Sequence, residues 1–103
     1  MALSVTWTAG AIEDLKEILE YISLDAPAAA LKVGERIAER TMRLARYPRS
    51  GHRIEEFPDD AIREVVVYSY RVICRILPSE VEILSVIHGG RDLQKAMQGR
   101  LRR

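Results

Sequence analysis

The chain has 103 residues, of which 48% are hydrophobic and 30% charged, and a formal net charge of +1. This composition is typical of one small globular domain, here expected to span residues 1–103. The balanced charge predicts no overall attraction to nucleic acid, so direct nucleic-acid binding by the chain alone is not expected. The single cysteine, Cys74, excludes an intramolecular disulfide. With no long apolar run to span a membrane, a cytoplasmic location is expected.

The first predicted elements are a short strand and an amphipathic helix. Polar and apolar residues alternate over residues 3–7, which is typical of a half-buried strand. Thr8 can cap a helix over residues 9 to about 24. The apolar residues of this helix recur at helical spacing, and they are Ile12, Leu15, Ile18, Leu19 and Ile22.

A second helix is predicted from residue 27 to about residue 47, because Pro27 is tolerated in a first helical turn and Pro48 ends the helix. Its predicted inward stripe consists of Leu31, Gly34, Ile37, Ala38, Thr41, Leu44 and Ala45. The short link predicts an antiparallel helix pair, with residues 11–25 acidic and residues 31–53 basic. The basic stripe on the second helix is interpreted as a solvated face rather than a nucleic-acid contact, with Glu39 and Arg43 paired.

Residues 47–60 predict a loop, after which the chain turns to β structure. Three strands joined by short turns are predicted at residues 62–69, 70–77 and 81–88, and this arrangement indicates an antiparallel meander. Asp92 can cap a short final helix, with Gly99 as its C-terminal glycine. The order β-α-α-β-β-β predicts an α+β fold of two layers: an antiparallel sheet packed on a two-helix hairpin, followed by a short C-terminal helix. One face of the sheet should be partly open.

Candidate functional residues lie at this open face. Strand alternation places Arg71 and Arg75 on the face opposite Cys74, which reads as a small buried hydrophobe. We expect four side chains to converge near one end of the sheet, with Arg53 or Arg63 nearby: Arg71, Arg75, His88 and Arg91. Such a set could stabilise phosphate charge, and His88 could transfer protons. For His88 alone, a locally hydrogen-bonded strand-end histidine is the simpler interpretation.

No metal site or cofactor is expected. His52 and His88 are the only histidines, and neither has a second ligand at a recognisable spacing. A glycine-rich phosphate loop is also missing from the sequence.

The order and spacing of several motifs resemble the RelE/ParE superfamily of toxins from type II toxin–antitoxin systems, often called plasmid stabilisation proteins. The motifs are "AIEDLKEILEYI" (11–22), "LARYPRSGHR" (44–53), "REVVVYSYRVICRI" (63–76) and "VEILSVIHGGRDL" (81–93). This resemblance covers nearly the whole chain and implies the same β-α-α-β-β-β order. It also implies a cognate antitoxin whose disordered segment folds onto the toxin and neutralises it.

The superfamily divides by mechanism. RelE-type members are ribosome-dependent endoribonucleases that cleave messenger RNA with basic residues and a C-terminal tyrosine. Arg71 matches their strand arginine and Arg91 the arginine after the last strand, but the preceding strand has no lysine and the C-terminal helix no tyrosine. If the chain were RelE-like, its catalytic residues would be Arg71, His88 and Arg91.

ParE-type members inhibit DNA gyrase and cause growth arrest. The "IHGGRDL" ending and the basic C-terminal residues resemble this branch more. The resemblance therefore implies a ParE-like gyrase inhibitor with no catalytic residues. The alternatives are a RelE-like nuclease and a non-toxic member that binds only the antitoxin. The expected binding residues are Arg71, Arg75, His88, Arg91 and Asp92, and the sequence leaves the oligomeric state open.

Overall fold

A computed structural model describes residues 2–101. The described part contains the strands β1 (Ser4–Trp7), β2 (His52–Arg53), β3 (Ile62–Val67), β4 (Tyr70–Ile76) and β5 (Glu80–His88), and the helices α1 (Ala9–Ser23), α2 (Pro27–Met42) and α3 (Leu93–Ala96). Short 3-10 turns follow α2 at Arg43–Ala45 and Pro48–Ser50. The predicted α+β fold with a two-helix hairpin and a short C-terminal helix is confirmed.

The sheet has the strand order β1-β5-β4-β3-β2. Strands β3, β4 and β5 form the predicted antiparallel meander. The expectation of a purely antiparallel sheet is wrong at one edge, because β1 pairs with β5 in parallel, with Ser4 opposite Glu80 and Trp7 opposite Ile83. Parallel pairing is possible because the helix hairpin and three strands, β2, β3 and β4, lie between β1 and β5 and give the chain the long crossover that this geometry requires.

Strand β2 lies inside the segment that was predicted to be a loop. His52 and Arg53 pair with Glu64 and Arg63 of β3, and a two-residue strand is too short to show periodicity. The chain approaches β3 closely at Gly51, where an added Cβ would lie 2.9 Å from the backbone oxygen of Glu64. Only glycine permits this approach without a shift of the backbone.

The helices begin where the sequence predicts. The Thr8 hydroxyl caps α1 by accepting a hydrogen bond from the Ala11 amide at 3.1 Å. Helix α2 ends at Met42, earlier than predicted, because the chain tightens into the 3-10 turns before Pro48. The predicted pair of Glu39 with Arg43 is replaced by a pair of Glu39 with Arg36.

The predicted inward stripe of α2 is partly wrong. Leu31 is 65% exposed and Ala38 is exposed, whereas the buried residues of this helix are Ala30, Ile37 and Thr41, followed by Leu44 in the next turn. The helix is therefore rotated from the predicted orientation. Gly34 lies against α1, where an added Cβ would be 3.3 Å from Leu19 Cδ1, so the expected close approach of the two helices is present.

Both faces of the sheet carry apolar clusters. The larger cluster lies under the helices and includes Ile37, Leu44, Val72, Cys74 and Ile83. A second cluster on the opposite face joins Ile73, Leu84 and Ile87 to Leu93 and Met97 of the C-terminal segment, together with Ile54 and Ile62. The second face is therefore more covered than expected, and β5 is buried on both faces as predicted. In residues 2–101, no helix has the length and apolar character that a membrane crossing requires.

Candidate functional site

Arg71 extends from β4 on the sheet face away from the helices, and two glutamates hold its guanidinium. Its Nε donates to Glu64 Oε1 at 2.5 Å, and its terminal nitrogens lie 3.3 and 3.4 Å from the carboxylate oxygens of Glu56. The side chain is only 16% exposed. The hydrogen bond to Glu64 raises the pKa of Arg71, and the hydrogen bond from Arg71 lowers the pKa of Glu56. The positive charge of Arg71 is thus compensated within the chain.

Arg75 lies near the other end of β4, and its guanidinium also has hydrogen-bond partners. Its Nη2 donates to Glu82 Oε1 at 3.1 Å across the β4–β5 pair, and its Nη1 donates to the backbone oxygen of Leu101 at 3.2 Å. The C-terminal segment therefore lies over Arg75. Ile73, a member of the second apolar cluster, stands between the two arginines on the same strand.

His88 lies on the opposite face from Arg71. It ends β5 opposite Tyr70, and the two rings meet edge to face with their centroids 5.7 Å apart. Tyr70 packs against the apolar cluster under the helices. The backbone amide of Gly90 lies 3.4 Å from His88 Nδ1, which is a weak local hydrogen bond of the kind the simpler interpretation expects.

The expected convergence of Arg71, Arg75, His88 and Arg91 is therefore wrong. Arg91 is exposed in the turn after β5, where its amide donates to the His88 carbonyl at 3.0 Å. The two arginines expected nearby, Arg53 and Arg63, instead gather with Arg49 around Asp60. Asp92 has the predicted capping role, since its carboxylate accepts from the Lys95 amide at 3.3 Å.

The sequence gives no hint of a polar cluster at the free edge of β5. Strand β1 ends opposite Ile83, so among residues 2–101 no strand pairs with β5 on that side beyond this point. The Arg100 guanidinium contacts both carboxylate oxygens of Asp14 at 2.5 and 3.0 Å and donates to the Leu84 carbonyl at 3.1 Å. Asp14 accepts in turn from the Val86 amide at 3.1 Å and from the Ser85 hydroxyl at 3.0 Å. Two side chains thus replace a strand partner.

A groove between α1 and the end of the β4–β5 pair was also not predicted. It has a volume of about 310 Å³ and is lined by Glu17, Ile18, Tyr21, Tyr70 and His88. We call it the α1 groove. Its walls are mostly aromatic or apolar, and Glu17 supplies one carboxylate. His88 was singled out from the sequence, but its companions on α1 are more than sixty residues away, and no local pattern joins them.

In residues 2–101, the candidate residues Arg71, Arg75 and His88 do not surround one point. An acid–base reaction needs a base, an acid and charge stabilisation around one reacting atom. Arg71 and Arg75 are paired with carboxylates on one face, and His88 lies on the other. Within residues 2–101, no three His, Cys, Asp or Glu side chains are grouped so that they could hold a metal ion.

Comparison with known proteins places this geometry in a family. Residues 5–93 match the family model described as "ParE toxin of type II toxin-antitoxin system, parDE". A protein of Sinorhizobium fredii (strain NBRC 101917 / NGR234), named "Putative toxin Y4kP", is 36% identical over 87 residues, which cover 82% of this chain and 85% of that protein.

Two solved structures share the fold. The chromosomal ParDE system of P. aeruginosa contains a chain that superposes with a TM-score of 0.73 at 24% identity, covering 84% of this chain and 96% of that one. The toxin–antitoxin complex RelBE2 of Mycobacterium tuberculosis gives a TM-score of 0.59 at 22% identity, covering 85% and 99%. The chain belongs to the ParE toxin family, within the RelE/ParE superfamily of type II toxin–antitoxin toxins.

Proposed function

We propose that this toxin acts as a ParE-like inhibitor of DNA gyrase, that it causes growth arrest in this way, and that a cognate antitoxin neutralises it. The observation that carries the proposal is the family match over residues 5–93, taken together with the pairing of Arg71. Arg71 is the residue that a RelE-like nuclease would need for charge stabilisation. Here its guanidinium is engaged by Glu64 and Glu56.

The positions of the other candidate residues favour binding over RNA cleavage. A ribonuclease would require Arg71, His88 and Arg91 to surround one phosphate, but Arg71 and His88 lie on opposite faces of the sheet. Placing a phosphate on Arg71 would also displace two carboxylates that contact its guanidinium. Like charges near a phosphate oppose its binding, so these glutamates argue against nuclease chemistry.

We assign target contact to the exposed turn after β5. His88, Arg91 and Asp92 are exposed there, and Lys95 follows one helical turn later. In residues 2–101, neither Arg91 nor Lys95 has a carboxylate within ion-pair distance. Arg71 and Arg75, in contrast, are assigned to maintaining the sheet face that supports this turn.

The two solved structures with the same fold support the proposed antitoxin partner. One of the two solved structures is from a chromosomal ParDE toxin–antitoxin system, and the other is the toxin–antitoxin complex RelBE2. Exposed apolar side chains on the helix hairpin, including Tyr21, Leu24 and Leu31, offer the kind of surface that a folding antitoxin segment would cover.

The decisive experiment compares the two targets with the same purified protein. We expect inhibition of gyrase supercoiling and accumulation of cleaved DNA, with no cleavage of messenger RNA on programmed ribosomes. Arg91→Ala should weaken gyrase inhibition, whereas Arg46→Ala, a matched loss of charge at an exposed arginine after α2, should not. Ribosome-dependent cleavage that disappears in Arg71→Ala would overturn the proposal. Expression without growth arrest would identify a non-toxic antitoxin-binding member.

A further inference from the structure

We infer that the α1 groove binds a lysine or arginine side chain presented by an apolar segment of a partner protein. The groove is lined by Glu17 and Ile18, by the rings of Tyr21 and Tyr70, and by His88. The inference rests on the proposed function only in naming the antitoxin as the partner that carries this segment.

The aromatic wall of the groove is partly fixed before any partner arrives. Tyr70 is half-buried against the apolar cluster under the helices, and the His88 ring meets it edge to face. Tyr21, on α1, is 78% exposed although it is a large aromatic residue. The faces of tyrosine rings attract cations electrostatically, and a wall that is already ordered loses little conformational entropy on binding.

The negative charge of the groove favours a positively charged ligand. Glu17 is its only carboxylate, and no cation pairs with it in the part of the chain that the structure describes. Glu13 and Glu20 lie about one turn away on the same helix and are exposed, so this region of α1 is acidic. An approaching lysine or arginine would gain Coulomb attraction together with the aromatic contact, whereas an acidic side chain would be repelled.

The surface beside the groove indicates that the ligand also has an apolar part. Leu24 is 79% exposed at the end of α1, three residues after Tyr21, so the two side chains lie on the same side of the helix. A ligand that covers both carries an apolar residue next to its cation, as a basic amphipathic segment does. A hydrophilic polycation would leave Leu24 uncovered.

The first test uses two capped peptides, acetyl-ALRLA-amide and acetyl-ALELA-amide, which differ only in the sign of one charge. In titrations of the ¹⁵N-labelled chain, we expect the arginine peptide to shift the amide resonances of Glu17, Tyr21, Tyr70 and His88. The glutamate peptide should bind at least about tenfold more weakly, since attraction becomes repulsion near a carboxylate. Equal affinity for the two peptides, or shifts confined to other surfaces, would overturn the inference.

Matched variants test whether the arginine peptide binds in the α1 groove. Glu17→Gln and Tyr21→Ala should each weaken binding of the arginine peptide by about threefold or more, in keeping with single ion-pair and cation–π contributions. Glu55→Gln removes the same charge from an exposed residue in the loop after β2 and should leave the affinity unchanged. Because Glu17 and Tyr21 are exposed, these variants should keep the wild-type circular dichroism spectrum. Loss of affinity in Glu55→Gln equal to that in Glu17→Gln would count against the groove.

The second test uses the antitoxin encoded beside the toxin. Glu17→Lys should weaken the complex at least about tenfold, and reversal of one basic antitoxin residue to glutamate should restore affinity only for that variant. If the antitoxin binds wild type and Glu17→Lys equally well, the inference fails while the proposed function stands. If the antitoxin does not bind at all, the proposed partner is wrong, and the peptide titration still decides the groove. Concentration-dependent dimerisation that Glu17→Lys abolishes would replace the partner with a second copy of the chain and overturn the inference.

Discussion

Asp14 and Arg100 lie at opposite ends of the sequence, yet their side chains contact each other at 2.5 and 3.0 Å beside the free edge of β5. Asp14 accepts the Val86 amide, and Arg100 donates to the Leu84 carbonyl. Unpaired backbone groups at a sheet edge are templates for association with another strand. This pair therefore provides hydrogen-bond partners for backbone groups at the edge of β5. It also holds the C-terminal segment against the sheet.

Replacement of Asp14 by alanine should reduce stability more than replacement of Arg100. Asp14→Ala leaves the Val86 amide and the Ser85 hydroxyl without their acceptor and removes the carboxylate that pairs with Arg100, so we expect a loss of about 2–3 kcal/mol. Arg100→Ala leaves fewer orphaned groups and should cost about 1–2 kcal/mol. The free energy of unfolding, measured by urea denaturation, checks both values.

The control for this comparison is the exposed pair on α2. Arg36→Ala removes an ion pair whose side chains are well exposed, and should change the free energy of unfolding by less than about 0.5 kcal/mol. Should Asp14→Ala cost no more than Arg36→Ala, the edge of β5 would not depend on the pair. A double-mutant cycle then isolates the coupling between Asp14 and Arg100.

The sequence predicts local features of this molecule well and distant ones poorly. Thr8 and Asp92 cap their helices as expected, because an N-cap depends on residues within one turn. Strand alternation likewise predicts that Arg71 and Cys74 lie on opposite faces of β4. The orientation of His88 was not predictable in the same way. A register shift lies between β4 and β5, with Ile73 opposite Ser85 but Cys74 opposite Ile83, so simple alternation along β5 is broken.

For a related reason, the sequence could not predict which charged side chains would pair. Arg71 looks like a free phosphate-binding residue in the sequence, since nothing nearby shows that Glu56 will fold back over it. Glu56 lies in a loop whose path depends on β2, a strand too short to predict. Asp14 and Arg100 meet only after the whole sheet has formed. The candidate site could be predicted as a set of residue types, but not as an arrangement in space.

Acid should destabilise the chain partly through the loop that covers Arg71. The hydrogen bond from Arg71 lowers the pKa of Glu56, and the hydrogen bond from Arg49 lowers the pKa of Asp60. Because each folded-state pKa lies below the unfolded value, the stabilisation is complete above the unfolded pKa of about 4 and disappears as the pH falls through the folded pKa. Stability should therefore fall below about pH 4.

Glu56→Gln tests the contribution of one of these groups. The variant should be less stable than wild type at pH 7, and the difference should shrink between about pH 4 and pH 2, since protonated Glu56 resembles glutamine. Urea denaturation at several pH values gives the comparison. A difference that stays constant over this range would mean that the charge of Glu56 does not stabilise the fold.

Cys74 should be unreactive in the folded protein. Burial raises the pKa of its thiol to about 11, and the side chain is fully buried in the cluster under the helices. Since the thiolate is the reactive form, both effects slow modification. At pH 8 we expect Ellman's reagent to label the native chain at least about a hundredfold more slowly than the urea-unfolded chain. Rapid labelling without urea would show that β4 opens locally under native conditions.

Replacement of Tyr68 by glycine should stabilise the chain. Tyr68 lies in the two-residue turn between β3 and β4 with a φ of 54°, a region that bulky L residues rarely occupy, and its side chain is 61% exposed. Glycine adopts this conformation without steric cost, and little burial is lost, so we expect a gain of about 0.5–1 kcal/mol. Ser69→Gly in the same turn has no positive φ to relieve and should not stabilise the chain. Thermal and urea unfolding of the two variants would contradict this account if Tyr68→Gly were the less stable.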